Sequence, residues 1–244
     1  MSDFNNKTIA EIVAEDYRTA KIFESHKIDF CCGGNKNFQD AVDAKNLDPE
    51  KITDELISVK RQDSNGSLDF NSWPLDLLVD YIEKKHHRYV EERTPEIKRY
   101  LEKICQVHGG RHPELFEIQE QFNQSAGELT MHMKKEELIL FPIIRKMVAA
   151  KQKNEKINPP QFGSVKNPIQ AMMSEHDVEG ERFKKISQLS NNYTTPSDGC
   201  NTYFVTYSML KEFEEDLHLH IHLENNILFP KAIEFEKTSL QEDA

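Results

Sequence analysis

Two stretches of the sequence share one pattern, HMKKEELILFP at residues 132–142 and HIHLENNILFP at residues 220–230. In each, a histidine is followed by a glutamate four residues later and then by Ile-Leu-Phe-Pro, and the two copies lie 88 residues apart. Residues four apart on an α-helix point in nearly the same direction. The pattern therefore predicts two helices, each with a histidine and a glutamate on one face. The pairs are His132 with Glu136 and His220 with Glu224.

A longer internal repeat contains these two stretches. His87 is followed five and six residues later by Glu-Arg, and His176 is followed by Glu-Arg at the same offsets, 89 residues further along. Self-similarity at a fixed period indicates a repeated structural unit. Each unit is predicted to be one helix with a single histidine, followed by one helix with the His-x-x-x-Glu pair.

Hydrophobic periodicity from Trp73 onward predicts the fold class. Four long amphipathic segments follow one another, no strand pattern competes, and the breakers Gly and Pro number only 9 and 10. We expect an all-α protein whose main domain is an up-down-up-down four-helix bundle. Its helices are predicted at about 74–108, 113–147, 168–190 and 203–235.

The segment before the bundle predicts a small helical domain. Thr8 is a suitable N-cap for one helix over residues 9–26, and two short helices follow, the second of which begins at Asp48-Pro49. The polar stretch RQDSNGSLDFN at 61–71 carries Asn-Gly, which is typical of a linker. We therefore divide the chain into a small di-cysteine domain, residues 1–64, and the bundle domain, residues 65–244.

Composition argues against several classes of partner. The formal net charge of −11 disfavours a nucleic-acid backbone or an anionic membrane. The N-terminal residues are polar where a secretion signal would be apolar, and the longest apolar run is far too short to span a membrane. Four cysteines that include an adjacent pair do not resemble a secreted disulfide framework. A cytoplasmic protein is expected.

Chain spacing is expected to bring four histidines to one level of the bundle. His87 and His132 are 45 residues apart, and His176 and His220 are 44 residues apart. If each helix climbs about 20 residues before the chain turns back, the two histidines of each pair return to the same height. The flanking residues on the inner face are apolar: Leu129, Ile139 and Ile143 on the second helix, and Leu217, Ile227 and Leu228 on the fourth.

A pair of metal ions would offset the cost of placing six ionisable groups in an apolar layer. Four imidazoles supply terminal nitrogen ligands, and each of two carboxylates can span two cations. Mixed His/carboxylate sites with open positions suit iron better than structural zinc, which prefers closed Cys/His sites. One His-x-x-x-Glu pair alone would more simply be a surface ion pair, but two inward-facing copies in register favour metal. The predicted ligands are His87, His132, Glu136, His176, His220 and Glu224.

The first ligand position has two candidates. Periodicity mildly favours His86, because the apolar residues at 75, 79 and 82 lie on its face, whereas the internal repeat favours His87. We choose His87, with His86 as a packing residue or a support for the ligands. Glu137, one residue after Glu136, is expected to turn about 100° away and to matter little for metal.

Four further histidines are expected to lie off the site. His108 and His112 should lie at the end of the bundle, because the 21 residues from position 87 to position 108 span about 31 Å of helix. His218 and His222 lie two residues from His220 and should face away from it.

The cysteines allow two interpretations. Cys31 and Cys32 lie in a Gly-rich turn, where adjacent thiols form only a strained and easily reduced disulfide. They are either a packed apolar pair or a redox, iron-relay or partner-docking site. Cys105 and Cys200 are isolated in the sequence and are interpreted as packing or incidental residues.

Five motifs of the sequence together resemble those of a known family. IDFCCGG at 28–34, HHRYVEERTPEI at 86–97, HMKKEELILFP, SEHD at 174–177 and HLENNILFP at 222–230 match, in order, the motifs of the repair-of-iron-centres family. These are di-iron proteins of iron-sulfur cluster repair, in which a small di-cysteine domain precedes a hemerythrin-like bundle. The resemblance covers nearly the whole chain and also favours His87 over His86.

The resemblance implies a cofactor and a function. It implies two non-haem iron ions bridged by carboxylates, with an additional oxo bridge left open, held by the six predicted ligands. It also implies repair of iron-sulfur clusters damaged by nitric oxide or oxidants, by a supply of iron to damaged iron-sulfur proteins. Alternatives are reduction of nitric oxide at the di-iron site, or reversible binding of oxygen or nitric oxide by a carrier or sensor. Whether the protein is an enzyme, and whether it is a monomer or a homodimer, stays open.

Overall fold

The computed structural model describes residues 4–61, 68–155 and 163–241. Residues 4–61 contain four short α-helices and a 3₁₀ turn at Tyr17–Thr19. Polar side chains at three helix starts accept backbone N–H groups that have no partner within the helix: Thr8, Asn37 and Asp48. The helices are α1 (Ile9–Glu15), α2 (Ala20–Ser25), α3 (Phe38–Asp43) and α4 (Pro49–Arg61).

Four long helical rods follow, and three of them contain a π-helical segment. The first bundle helix consists of α5 (Leu75–Tyr81), a π segment (Ile82–His87) and α6 (Arg88–His108). The second consists of α7 (Glu114–Lys135), a π segment (Glu136–Leu140) and α8 (Phe141–Gln152). The third is α9 (Lys166–Leu189). The fourth consists of α10 (Asn201–Leu223), a π segment (Glu224–Leu228) and α11 (Phe229–Gln241).

Consecutive bundle helices are neighbours in space. Helix α6 packs against α7 and α10, α7 packs against α9, and α9 packs against α10. This ring of contacts is the up-down-up-down arrangement that a chain with short connections adopts. The predicted all-α fold, with a small helical domain before a four-helix bundle, is confirmed.

One predicted helix differs from the structure, and one predicted domain boundary falls among residues that the structure does not describe. The predicted single helix over residues 9–26 is wrong, because it is broken at Asp16, whose backbone is extended (φ −154°, ψ 100°). The Asp16 carboxylate accepts the backbone N–H of Arg18 and starts the 3₁₀ turn, an alternative that short polar side chains offer to the backbone. The predicted domain boundary between residues 64 and 65 lies outside the described residues.

The small domain packs directly on the fourth bundle helix. The side-chain amide of Asn226 donates hydrogen bonds of 3.2 Å to the carbonyl oxygens of Phe30 and Cys31. The ring of Phe30 lies against that of His222, with ring centroids 5.9 Å apart. Side chains of both domains belong to one apolar cluster. The Gly-rich turn that carries the two cysteines is therefore fastened to the bundle.

A polar layer divides the apolar interior of the bundle. On one side the core includes Leu129, Met133 and Leu217, and on the other it includes Leu140 and Phe141. The predicted metal ligands lie between these two clusters. Among the described residues, no helix is both long enough and apolar enough to cross a membrane.

Candidate metal centre

The π segments lie where the candidate ligands lie. His87 is the last residue of the first π segment, and Glu136 and Glu224 are the first residues of the other two. A π turn accommodates one more residue than an α turn, so it changes the direction in which the following side chains point, and such turns occur often at functional sites.

Six side chains from all four bundle helices converge into two overlapping groups. His87, Glu136, His220 and Glu224 form one group, in which one ligand atom from each residue lies within 4.8 Å of the others. A second group satisfies the same criterion and consists of His132, Glu136, His176 and Glu224. The two glutamates are common to both groups. These are the six residues that the sequence pattern singled out.

The distances place the Nε2 atoms of the histidines around the two carboxylates. In the first group, Nε2 of His87 lies 3.3 Å from Glu136 Oε2, and Nε2 of His220 lies 3.1 Å from Glu224 Oε1. In the second group, Nε2 of His132 lies 3.4 Å from Glu136 Oε2. Nε2 of His176 lies 3.1 Å from Glu224 Oε2 and 3.0 Å from Nε2 of His132.

The opposite ring nitrogens are held from outside. Nδ1 of His87 donates to Glu137 at 2.9 Å, and Nδ1 of His132 donates to Glu175 at 2.8 Å. Nδ1 of His176 donates to the amide oxygen of Asn225 at 2.8 Å. Because an ionised carboxylate can only accept, Nδ1 carries a proton, and a bound metal ion would displace any proton on Nε2 and leave the lone pair of that nitrogen directed toward the centre. This is the tautomer that a metal ligand needs.

Several oxygen and nitrogen atoms of the two ligand groups are buried without a hydrogen bond, an arrangement that suits bound cations. Glu136 and Glu224 are each 0% exposed. Both Glu136 oxygens, Oε2 of Glu224 and Nε2 of His87 have no hydrogen bond of acceptable geometry. All of them except Oε1 of Glu136 lie in ion-pair contacts. Buried polar groups without hydrogen bonds are costly. Two cations between these atoms would satisfy them, and the imidazole and carboxylate donor set suits iron.

The electrostatics keep the carboxylates ionised. Burial and the facing Glu224 carboxylate act to raise the pKa of Glu136, but His132 and His87 outweigh them and lower it. Burial likewise acts against ionised Glu224, whose pKa His220 and His176 hold well below its usual range. The charged carboxylate is the form that binds metal.

Two expectations about helix two are wrong. Glu137 was expected to turn away, but its carboxylate reaches around to Nδ1 of His87 and also accepts from Lys134 at 2.7 Å. Ile139 was expected on the inner face, but it is 45% exposed, whereas Leu140 and Phe141 are buried. The π segment causes this second difference, because its additional residue shifts the inner face by one position.

His86 is buried beside the site without entering either group. Its ring stacks on that of His220, with centroids 5.5 Å apart and planes 12° apart. Its Nδ1 lies 3.0 Å from Asp216 Oδ2. Both His86 and His87 are thus buried, and the ligand geometry distinguishes them: His87 faces the glutamates and His86 supports His220 from behind.

Four further histidines of the bundle domain lie away from the six residues. His108 and His112 lie at the far end of the bundle, at the end of α6 and in the turn after it. His218 and His222 face the small domain, where each ring packs against Phe30. Sequence spacing placed all four off the site, but it gave no sign of the packing on Phe30.

The four cysteines occupy different environments. The sulfurs of Cys31 and Cys32 are 3.9 Å apart, and that of Cys32 lies 3.5 Å from the carbonyl oxygen of His176. Cys105 is buried, in agreement with a packing role. Cys200 is exposed, and its sulfur lies 3.2 Å from Nε2 of His108, so it is not a packing residue.

A cavity of about 480 Å³ reaches the site between α7 and α9. Its wall includes His132 and His176, and Lys135 and Glu175 border it. Gly127 also lines it, and a Cβ built there would have no heavy atom within 4 Å. The second ligand group therefore borders open space between α7 and α9.

Comparisons with known proteins agree with this geometry. A family model described as "Hemerythrin HHE cation binding domain" matches residues 79–232, and one described as "Domain of Unknown function (DUF542)" matches residues 5–60. The "Iron-sulfur cluster repair protein YtfE" of Yersinia pseudotuberculosis serotype O:1b (strain IP 31758) is 33% identical over 96% of this chain and 100% of its own. The protein of the same description from Yersinia pestis (strain Pestoides F) has the same identity and coverage. The chain belongs to the YtfE family.

Family membership fixes the general nature of the site. The bundle matches a hemerythrin-type cation-binding domain, and its His/Glu cluster is a group of side chains that could hold metal. The small domain with Cys31 and Cys32 matches the model described as "Domain of Unknown function (DUF542)". The similarity to the relatives covers both domains of this chain.

Proposed function

We propose that this protein repairs iron-sulfur clusters damaged by nitric oxide or oxidants, and that it does so by supplying iron from a di-iron centre in the bundle. The observation that carries the proposal is the pair of ligand groups that share Glu136 and Glu224. The relatives are described as iron-sulfur cluster repair proteins, which supports the same function here.

Two irons fit the arrangement of donors. His87 and His220 would serve one cation, His132 and His176 would serve the other, and the two glutamates would bridge them. Each iron would then have four protein donors, fewer than the six that iron commonly takes in such sites, so that positions stay open for exchange. An iron that is only partly enclosed can be given up to a client, whereas a closed structural zinc site retains its metal.

The thiols of the small domain are placed to take part. Hydrogen bonding to Cys32, burial and nearby Asp29 hold the pKa of the Cys31 thiol well above its usual range. Cys32 is only partly buried and lies against the backbone of His176. We propose that the pair relays iron or electrons, or docks the damaged iron-sulfur protein, in the cytoplasm, where thiols stay reduced.

A second candidate function has its own observation. The cavity between α7 and α9 reaches His132 and His176 from outside. A small molecule such as nitric oxide or dioxygen would gain access to the centre there. Reduction of nitric oxide, or its reversible binding, is therefore the alternative to iron supply.

Metal analysis and a reconstituted assay test the proposal. Full-length protein from iron-replete cells should contain about two irons per chain, and Glu136→Ala or Glu224→Ala should lower that content. Iron-loaded protein mixed with a nitric-oxide-damaged iron-sulfur enzyme should restore its activity and lose iron in proportion. One zinc per chain would contradict the di-iron centre. Nitric oxide consumption with no loss of iron, and with no restoration of the enzyme, would favour the alternative.

A further inference from the structure

A second cluster of reactive groups lies at the far end of the bundle, away from the metal site. Cys200 is the N-cap residue of α10, with an exposed side chain. His108 is the last residue of α6 and is only 4% exposed. Nε2 of His108 lies 3.2 Å from the sulfur of Cys200, although the two residues are 92 positions apart in the chain.

Neighbouring groups hold the two residues together. Nε2 of His112 lies 2.9 Å from Asp198 Oδ1, and Arg111 forms an ion pair with the other oxygen of Asp198 at 3.2 Å. These bonds join the turn after α6 to the turn before α10. The ring of Tyr203 packs edge-on against His108, with centroids 5.3 Å apart. The imidazole is therefore directed at the thiol from a fixed position.

The buried imidazole is directed at this sulfur and has no other hydrogen-bond partner in the structure. Nδ1 of His108 is buried and lacks a partner. A buried ring nitrogen without a partner costs free energy, so a purely structural role would favour a residue that satisfies both nitrogens or an apolar one. A buried base directed at an exposed thiol is instead the arrangement of an activated nucleophile.

The surroundings favour the thiolate form of Cys200. Hydrogen bonding by His108, helped by the backbone N–H groups of Tyr203 and Thr202 at the start of α10, lowers the pKa of Cys200 to about 7. Other ionisable groups of this end of the bundle are Asp198, Arg111, His112, Glu114 and Tyr203. By contrast, burial raises the pKa of Cys105, on α6, to about 11.

We propose that Cys200 is a reversible modification site that reacts with low-molecular-weight disulfides. The Cys200 thiolate attacks one sulfur of the disulfide, a mixed disulfide forms, and the original sulfur–sulfur bond breaks. The other half of the reagent leaves as a thiolate. Cys200 is thereby oxidised and the leaving half is reduced, so the step needs no further oxidant, and excess free thiol reverses it.

The site is independent of the metal centre and of the proposed repair function. None of the six candidate ligands contacts His108 or Cys200 in the described part of the chain. Iron-loaded and iron-free protein should therefore react at Cys200 at the same rate.

Kinetics of glutathionylation test the proposal. Full-length protein is incubated with glutathione disulfide between pH 5.5 and 9.5, and modification of each cysteine is followed by peptide mass spectrometry. The rate at Cys200 should reach half its maximum near pH 7, and Cys105 should stay unmodified. His108→Gln should raise the midpoint toward about 8.5 and slow the reaction at pH 6 by up to about sixfold, since the smaller thiolate fraction outweighs the gain in intrinsic nucleophilicity.

Two results would overturn the proposal. One is a midpoint near 8.5 for Cys200 in the unaltered protein, which needs no variant and so does not depend on whether His108→Gln folds. The other is an unchanged midpoint in a His108→Gln protein whose circular dichroism and melting temperature match those of the unaltered protein. Cys200→Ser serves as the blank, and His112→Gln, which leaves the sulfur contact in place, should shift the midpoint far less.

Discussion

Contacts outside the two ligand groups hold the ring of each candidate histidine ligand in place. Nδ1 of three of the four is hydrogen-bonded to an oxygen: that of His87 to Glu137, that of His132 to Glu175 and that of His176 to Asn225. Nδ1 of His220 has no such partner, and stacking of His86 fixes its ring instead. The first group therefore depends on one carboxylate and one stacked ring, and the second on two oxygen acceptors.

Glu137→Ala should weaken metal binding although Glu137 is not itself a predicted ligand. Loss of the acceptor at Nδ1 frees both the tautomer and the ring orientation of His87, which costs about tenfold to a hundredfold in metal affinity at comparable sites. Anaerobic titration of metal-free protein with ferrous iron measures the effect. Glu120→Ala, an exposed glutamate earlier on the same helix, is the matched control, and equal affinities for the two variants would refute the supporting role.

Substitutions at positions 86 and 87 should differ in kind. His87→Ala removes a donor from one ligand group and should abolish the normal spectrum of one iron. His86→Ala leaves both groups complete and should still hold about two irons when iron is in excess. Its melting temperature should be lower, because a buried ring that packs on Tyr81 and His220 is lost. Iron analysis and Mössbauer spectra distinguish the two. If His86→Ala proved the metal-poor variant, the ligand assignment would be wrong.

At the scale of elements, the π segments explain where sequence periodicity fails. On a regular α-helix, His87 would point about 140° away from Ile82, which is buried, and this angle is why periodicity favoured His86. The π segment from Ile82 to His87 turns His87 back toward the core. The internal repeat favoured His87, whose Nε2 lies 3.3 Å from Glu136, because a repeat compares equivalent positions and assumes no helical period.

The ends of the bundle helices, by contrast, could be predicted from the sequence. The Gly109-Gly110 pair and the prolines at positions 74 and 113 mark helix ends, and the four predicted ranges agree with the structure to within six residues. The helices of the small domain were less predictable, because the Asp16 carboxylate accepts the backbone N–H of Arg18 and the first helix ends there. Apolar spacing does not record such a bond.

Deletion of Leu138 should test the second π segment. Leu138 is 73% exposed, so its side chain contributes little to packing. Without it the segment can close to a regular α-helix, which rotates His132 and Glu136 by about 100° relative to Phe141 and the helix beyond. We expect retained helicity by circular dichroism and loss of metal. Leu138→Ala keeps the length of the helix and should bind iron normally; iron in the deletion variant at the level of the unaltered protein would mean that the π turn is dispensable.

Gly127→Leu should restrict access to the site without harming the fold. A glycine inside a helix costs about 1 kcal/mol relative to alanine, and nothing near Gly127 demands its lack of a side chain. Leucine there would extend into the cavity beside His132 and His176. The observed rate of azide binding to the iron-loaded protein, followed by absorbance, should fall several-fold while iron content stays the same. Gly127→Ala should have a smaller effect, and unchanged rates for both would place the entry route elsewhere.

On the scale of the whole molecule, the docking of the small domain was beyond sequence reasoning. Asn226 and Phe30, whose contact fastens the cysteine turn to the bundle, are 196 residues apart in the chain. No periodicity or motif relates residues at such a separation. The docked position brings Cys32 against the helix that carries His176, a proximity that the sequence left open.

Replacement of both thiols should lower the rate of repair without changing the iron content of the bundle. Neither Cys31 nor Cys32 belongs to the ligand groups, so the Cys31→Ser/Cys32→Ser protein should keep its iron content and spectrum. Its rate of repair in the reconstituted assay should fall, because serine replaces neither the redox chemistry nor the soft-metal binding of a thiolate. Cys105→Ala is the control for loss of a thiol elsewhere. Full repair by a well-folded double variant would remove the thiols from the mechanism.

The sharing of Glu136 and Glu224 between both groups has a mechanical meaning. A cation in the first group would tie position 87 to position 224, and one in the second would tie position 132 to position 224, so the pair would act as two removable crosslinks in the chain. Bound metal would then hold the four bundle helices together, because the ligand groups are assembled only in the folded chain. Any iron that is handed to a client is a crosslink given up by the donor. Under the proposed function, the tightness of the bundle and the readiness to release iron are therefore opposing demands on the same two carboxylates.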